Sequence, residues 1–325
     1  MVLRYAFSIA ILSCLIGAKT DALELVRIAR IGVLMPGSEA SAKQYVDGLR
    51  QGLARSGLVE GKDVAIDYRY ASGAIEKLDA MAGELARSNV ALIFAGGDQG
   101  AAAARRATVE IPIITVACDA LAAGLVSNLS RPGSNLTGVT CINSDLAGKR
   151  VEILRETLIR LDGLGVVLNP DDKRMLAEFT ESERAASVTS TPVHALRVSS
   201  LPEIEAAFLA AAANKVSGVV VVFDSLTFFH RARLAEIAVH HRMPTVFNFR
   251  EYVQAGGLIS YGPNLADMYG QSARHIRKVL NGEKPAEIPM EQPTHFELVV
   301  NLRTAKALGL TVPPTLIARA DEVLE

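Results

Sequence analysis

The segment 243-MPTVFNFREYVQAGGLISYGPN-264 opens with a proline-led apolar run, passes through the charged pair Arg250-Glu251, and returns through two glycines to a second apolar run. Its first part has a counterpart at 111-IPIITVACDALAAGLVS-127, which shares the proline-led strand, a polar loop and Gly-Leu-Val/Ile-Ser about a dozen residues later. Neither apolar run alternates with polar residues, so both read as strands buried on two faces, the pattern of a parallel sheet covered by helices. The two segments therefore imply a repeated α/β unit.

The alternation extends outward from both copies. "IARIGVLM", "DVAIDYRY" and "VALIFAG" are each followed by an amphipathic segment in the first half, and "GLGVVLN", "PVHALRV" and "SGVVVVF" likewise in the second, after the long helix "LAGKRVEILRETLIRL". A second echo joins "GVLMPGSEA" to "VVLNPDDKR", each a strand that ends in a proline-containing polar loop before a helix. A chain of 325 residues, half of them hydrophobic, suits two domains, here two doubly wound parallel-sheet lobes around a central cleft. In open parallel sheets the loops at the carboxyl ends of the strands line the ligand crevice. Those loops are 36–41, 96–100, 118–124, 169–172, 224–228 and 248–252.

Lys and Arg number 34 against 35 Asp and Glu, with no block of like charge, which argues against nucleic acid as a partner. At the N-terminus, Arg4 precedes the apolar run 6–18, too short to span a bilayer, and Lys19-Thr20-Asp21-Ala22 follows. This is the pattern of a secretory signal peptide over residues 1–22, cleaved near Ala22. Cleavage before Cys14, as in a lipoprotein, meets a poor lipobox in Ile11-Leu12-Ser13, and a core helix would need polar residues at helical spacing. Export into an oxidising compartment leaves Cys118 and Cys141, which read as packing cysteines or as one bridge.

No catalytic constellation emerges: there is no G-x-S-x-G elbow, and 96-GGDQG-100 fits neither the dinucleotide nor the P-loop pattern. Its glycines let backbone N–H groups approach a ligand at a helix N-terminus, or else make a plain tight turn. The six histidines show no metal spacing, so no metal and no cofactor are expected. Asp119 and Asp224 each directly follow an apolar strand, where they either grip an amine or hydroxyl or cap the next helix. Arg250 either anchors a ligand carboxylate with its planar fork or pairs with Glu251 or another rim acid.

The segments "RIGVLMPGS", "GLRQGLARSGLVEGKDVAIDYRYASG", "GLVSNLSRPGSNLTGVT", "FREYVQAGGLISYGPN" and the tail "QPTHFELVVNLRTAKALGLTVPPTLIARADEVLE" together resemble the ABC-transporter substrate-binding family of the tryptophan/tyrosine-type group. The resemblance covers nearly the whole mature chain. It implies the class I periplasmic-binding-protein fold and a periplasmic receptor that closes two lobes over a small polar, amino-acid-like or carboxylate solute. The ligand then passes to an ABC permease in the inner membrane, and a monomer is expected. It implies an N-terminal lobe over 23–140 with a return segment near 262–295, a C-terminal lobe over 141–261, and a tail over 296–325 packing on the lobes. Hinges are expected near Thr140–Ser144 and Tyr261–Asn264. Carried onto matching positions, the ligand contacts are Ser38, Asp98, Gln99, Asp119, Asn143, Asp224, Ser225, Phe249 and Arg250. The family's aromatic Trp-Asn-Pro is here Leu168-Asn169-Pro170, and the chain has no tryptophan, so rings stacked on a ligand must come from Phe or Tyr. The competing readings are a two-domain enzyme, a transferase or epimerase working in the cleft, and a receptor that feeds a sensor kinase. A repressor-type ligand sensor would begin with a basic helix-turn-helix where this chain has a signal peptide.

Overall fold

The computed structural model describes residues 28–170 and 172–325, so the signal-peptide reading of residues 1–22 lies outside the described residues. The first lobe is built on strands β1 (Ala29–Met35), β2 (Val64–Tyr70), β3 (Leu92–Gly96), β4 (Ile113–Cys118) and β5 (Leu136–Cys141). They form one parallel sheet in the order β2-β1-β3-β4-β5. The central strands β3 and β4 are buried along their whole length, as their unbroken apolar sequences require.

Helices α1 (Glu39–Arg55), α2 (Leu78–Arg87) and α3 (Gly97–Ala107) cover this sheet together with α10 (Leu265–Leu280), which returns from late in the chain. α1 and α10 approach closely because small residues face each other. A methyl group on Gly48 would run into the Ala266 carbonyl, and one on Gly52 into the Gly270 carbonyl. The spacing Gly48-x-x-x-Gly52 is thus a packing device.

The second sheet has the order β12-β11-β10-β9-β8-β6-β7. Its strands are β6 (Leu164–Leu168), β7 (Val193–Arg197), β8 (Gly218–Val221), β9 (Thr245–Phe247), β10 (Ile259–Gly262), β11 (Glu297–Asn301) and β12 (Glu322–Leu324). Its helices include α4 (Asn143–Thr157), α5 (Lys173–Ser187), α6 (Leu201–Ala213), α7 (Ser225–Phe229), α8 (Arg231–His240) and α9 (Arg250–Gln254). All pairings are parallel except β10 with β11. The tail therefore enters this sheet as strands β11 and β12, with short helices α11 (Leu302–Ala307) and α12 (Pro314–Ile317) between them.

The two echoes fare differently. Pro36 and Pro170 each follow a strand and precede a helix capped by Ser38 or Asp172. In the other pair, Ile259 begins β10, but Leu125 and Val126 remain in a turn and β5 begins only at Leu136. The reason is local: Asn128 accepts from the N–H groups of Ser130 and Arg131, which bends the chain before Pro132 can continue a strand.

The chain passes between sheets after β5, after β10 and before β11. One buried side chain ties the first two passages together. Arg150, fully buried on α4, donates to the carbonyls of Asn143 and Tyr261 and forms an ion pair with Glu178 on α5.

Candidate functional site

Between the lobes lies a cavity of about 850 Å³, within the range of a small-molecule site. The first lobe contributes the loop after β1 with Ser38, the 96–99 turn, and the rings of Tyr45 and Tyr269. The second lobe contributes Arg174, Phe223, Ser225, Leu226, Phe228 and Arg231.

Local sequence explains how each group arrives. Ser38 caps α1: its hydroxyl accepts from the Ser41 N–H at 3.2 Å, and the Ser41 hydroxyl accepts from the Ser38 N–H, completing a capping box. The paired glycines before Asp98 have separate tasks. Gly97 sits at φ +69°, and a side chain on Gly96 would strike Tyr269 and Met35. Asp98 then starts α3, with its carboxylate accepting from the Cys118 N–H at 2.9 Å and pairing with Arg174 of the other lobe. Burial pushes the Asp98 carboxyl up to about 6, against the pull of Arg174. Arg174 also pairs with Asp172, which caps its own helix.

The apolar wall is aromatic. In the second lobe Phe223 meets Phe228 edge to face at a centroid distance of 5.4 Å, and in the first lobe Tyr45 lies 5.3 Å from Tyr269. Arg231 donates to the Phe228 carbonyl and lies 4.9 Å from the centre of its ring. Among the described residues Arg231 has no carboxylate partner.

Several contacts among the described residues cross the cleft, Arg174 also reaching the Cys118 carbonyl at 3.5 Å. The others include Arg174 with Asp98, the Ser225 hydroxyl donating to Gln99 at 2.8 Å, and the Gln44 and Tyr45 side chains donating to Glu251. The cleft is therefore shut in this structure.

Of the residues expected at the site, Ser38, Asp98, Gln99 and Ser225 line the cavity, while Asp119, Asn143, Asp224, Phe249 and Arg250 do not. Asp119 follows β4 directly, at φ +54°, and accepts from the Ser144 hydroxyl at 3.3 Å. Asn143 is buried and serves as an acceptor for Arg150. Asp224 caps α7, taking the Thr227 N–H at 2.7 Å, so the capping alternative describes it. Phe249 is buried behind the cavity wall, 4.9 Å from Phe223. Arg250 turns away from the cavity to Glu297 at 2.9 Å and to Glu322, both in tail strands.

The residues that sequence reading passed over are Arg174, Phe228 and Arg231, with Tyr45, Tyr269 and Glu251. Arg174 and Phe228 stand in the helical turn at or just past a loop already marked as cleft-facing, at 169–172 and 224–228. That proximity was the available signal. Among the described residues no cluster of three or more His, Cys, Asp or Glu side chains is placed to hold a metal, and no helix is long and apolar enough to cross a membrane.

Two α/β lobes linked by several passages, with a ligand-sized cavity between facing strand ends, define a class I periplasmic-binding-protein-like molecule. The chain belongs to the ABC transporter substrate binding protein family, whose model matches residues 30–324. A tyrosine-binding protein from Clostridioides difficile is 24% identical over 281 residues, covering 86% of this chain and 81% of that protein. A Streptococcus pneumonia ABC domain in complex with L-Trp aligns with a TM-score of 0.84 at 26% identity, covering 91% of this chain and 100% of that one. The ligand-free, open form of a substrate-binding protein with adhesive properties from Clostridium difficile aligns at 0.70 and 23% identity, covering 91% and 99%.

Proposed function

We propose that the chain is an extracytoplasmic receptor of an ABC uptake system that closes its lobes over one amino acid with an aromatic side chain and delivers it to a membrane permease. The observation that carries this reading is the shut cavity, large enough for such a ligand, walled by Phe223, Phe228, Tyr45 and Tyr269 and flanked by Asp98, Arg174 and Arg231. Rings offer stacking surfaces to an aromatic side chain, while a carboxylate and two guanidiniums suit an ammonium and a carboxylate on the same small molecule. The Trp-bound and tyrosine-binding relatives support the ligand class.

In this reading Ser38, Asp98, Gln99 and Ser225 act with Arg174, Phe228 and Arg231 on the ligand. Asp119, Asn143, Asp224, Phe249 and Arg250 hold the frame around them. The receptor is a monomer that carries a signal peptide over residues 1–22 and works in the periplasm without a cofactor. The cleft-enzyme alternative finds no support in the family match. Mass spectrometry of the small molecule released when purified protein is unfolded tests the assignment. An aromatic amino acid is expected, and a released sugar or nucleoside would overturn it.

A further inference from the structure

Glu251 lies in the first turn of α9 in the second lobe, and is only 4% exposed. Its Oε1 accepts from Gln44 Nε2 at 3.2 Å and from Tyr45 Oη at 3.1 Å, both on α1 of the first lobe. Its Oε2 is buried with no partner. The adjacent cation does not neutralise it, because Arg250 is held by Glu297 and Glu322. The charged and titratable groups around it are Tyr45 from α1, Glu297 from β11, Arg250 and Tyr252 from α9, and Tyr269 from α10. Arg231 from α8 and Lys43 and Asp47 from α1 line the polar groove beside it. Tyr45 also walls the ligand cavity, so one side chain touches both the cavity and this contact.

We infer that Glu251 is a cross-lobe latch that α1 holds only when the cleft is shut, and that the latch shuts in its protonated, neutral form. Opening carries Gln44 and Tyr45 away with the first lobe and returns the carboxylate to water. Shutting the cleft on a charged carboxylate buries that charge with one oxygen unpartnered and only neutral donors on the other, a costly state that a bound proton relieves. Burial correspondingly raises the Glu251 carboxyl above its ordinary range and the like charge of Glu297 adds to the rise, while the residue's own backbone N–H, Tyr45 and Arg250 oppose it. The sign follows directly. The shut form has the higher pKa, so it holds more protons, is favoured at low pH, and loses ground as pH rises through the shut-form value.

The test is the radius of gyration of the ligand-free protein by small-angle scattering between pH 5 and pH 8, for the wild type and Glu251→Gln. Relative to Glu251→Gln, which imitates the neutral carboxyl, the wild type is expected to expand progressively as pH rises; the cross-cleft Asp98–Arg174 pair, whose carboxyl titrates in the same range, contributes alike to both proteins and cancels in the comparison. A Glu251→Gln protein that follows the wild-type curve across the whole range overturns the latch. Calorimetry with L-tryptophan adds a second reading that rests on the proposed ligand class. The ratio of wild-type to Glu251→Gln affinity should fall as pH rises, by at most about tenfold per pH unit, the slope of one proton, because the titration of Asp98 in the cavity is common to both proteins and cancels in the ratio. Absence of L-tryptophan binding at every pH would count against that ligand, and the scattering curves then decide the latch alone.

Discussion

Arg150 Nη1 stands 2.6 Å from Glu178 Oε1 with both side chains buried, and the same guanidinium reaches the carbonyls of Asn143 and Tyr261 on two separate passages between the lobes. The same Glu178 oxygen also accepts from Asn248 Nδ2 at 3.0 Å. A hydrogen-bonded hub thus joins two of the passages between the lobes.

Removing one partner of that hub leaves an uncompensated buried charge. Arg150→Ala should destabilise the protein by about 3–5 kcal/mol in urea denaturation. Replacing both partners with apolar residues, Arg150→Met with Glu178→Leu, should cost less than the single change. A double variant less stable than Arg150→Ala would contradict the hub.

Arg250 separates frame from site. Arg250→Ala strips Glu297 of its charge partner and leaves it with Asn264, which should cost about 1–3 kcal/mol of stability. Ligand affinity should stay within experimental error of the wild type. A large loss of affinity without a loss of stability would return Arg250 to the cavity.

Asp224 should behave as a helix cap. Asp224→Ala removes the acceptor for the Thr227 N–H and should cost about 1 kcal/mol, while Asp224→Asn, which caps equally well, should cost far less. If Asp224→Asn were as damaging as Asp224→Ala, the charge and not the cap would matter.

Gly52→Ala tests the contact between α1 and α10. A methyl group there meets backbone that cannot rotate away, so overpacking of about 1–3 kcal/mol is expected in thermal or chemical denaturation. An unchanged midpoint would show that the two helices can part at no cost.

The two lobes were legible because unbroken apolar runs such as "VALIFAG" and "SGVVVVF" admit few alternatives to a covered strand. The antiparallel entry of β11 was not, since the run Glu297–Asn301 carries no signal of direction. Ser38, Asp98, Gln99 and Ser225 could be placed at the cavity because they follow strands at the carboxyl edge of a sheet. Arg250 stands at the same kind of edge yet faces elsewhere. Its direction is set by Glu297 and Glu322, far along the chain, and no local pattern carries that information. Glu251 was read only as a neighbour for Arg250, whereas its partners stand on α1 in the other lobe.

The most direct test of the account is calorimetric titration of ligand-stripped protein with L-tryptophan and L-tyrosine, comparing wild type with Phe228→Ala. The wild type should bind at least one of them with one-to-one stoichiometry. Phe228→Ala, which removes a ring from the cavity wall, should bind it at least about tenfold more weakly, or about 1.4 kcal/mol. No binding of either amino acid by the wild type, or equal affinity in Phe228→Ala, would contradict an aromatic amino acid held between the lobes.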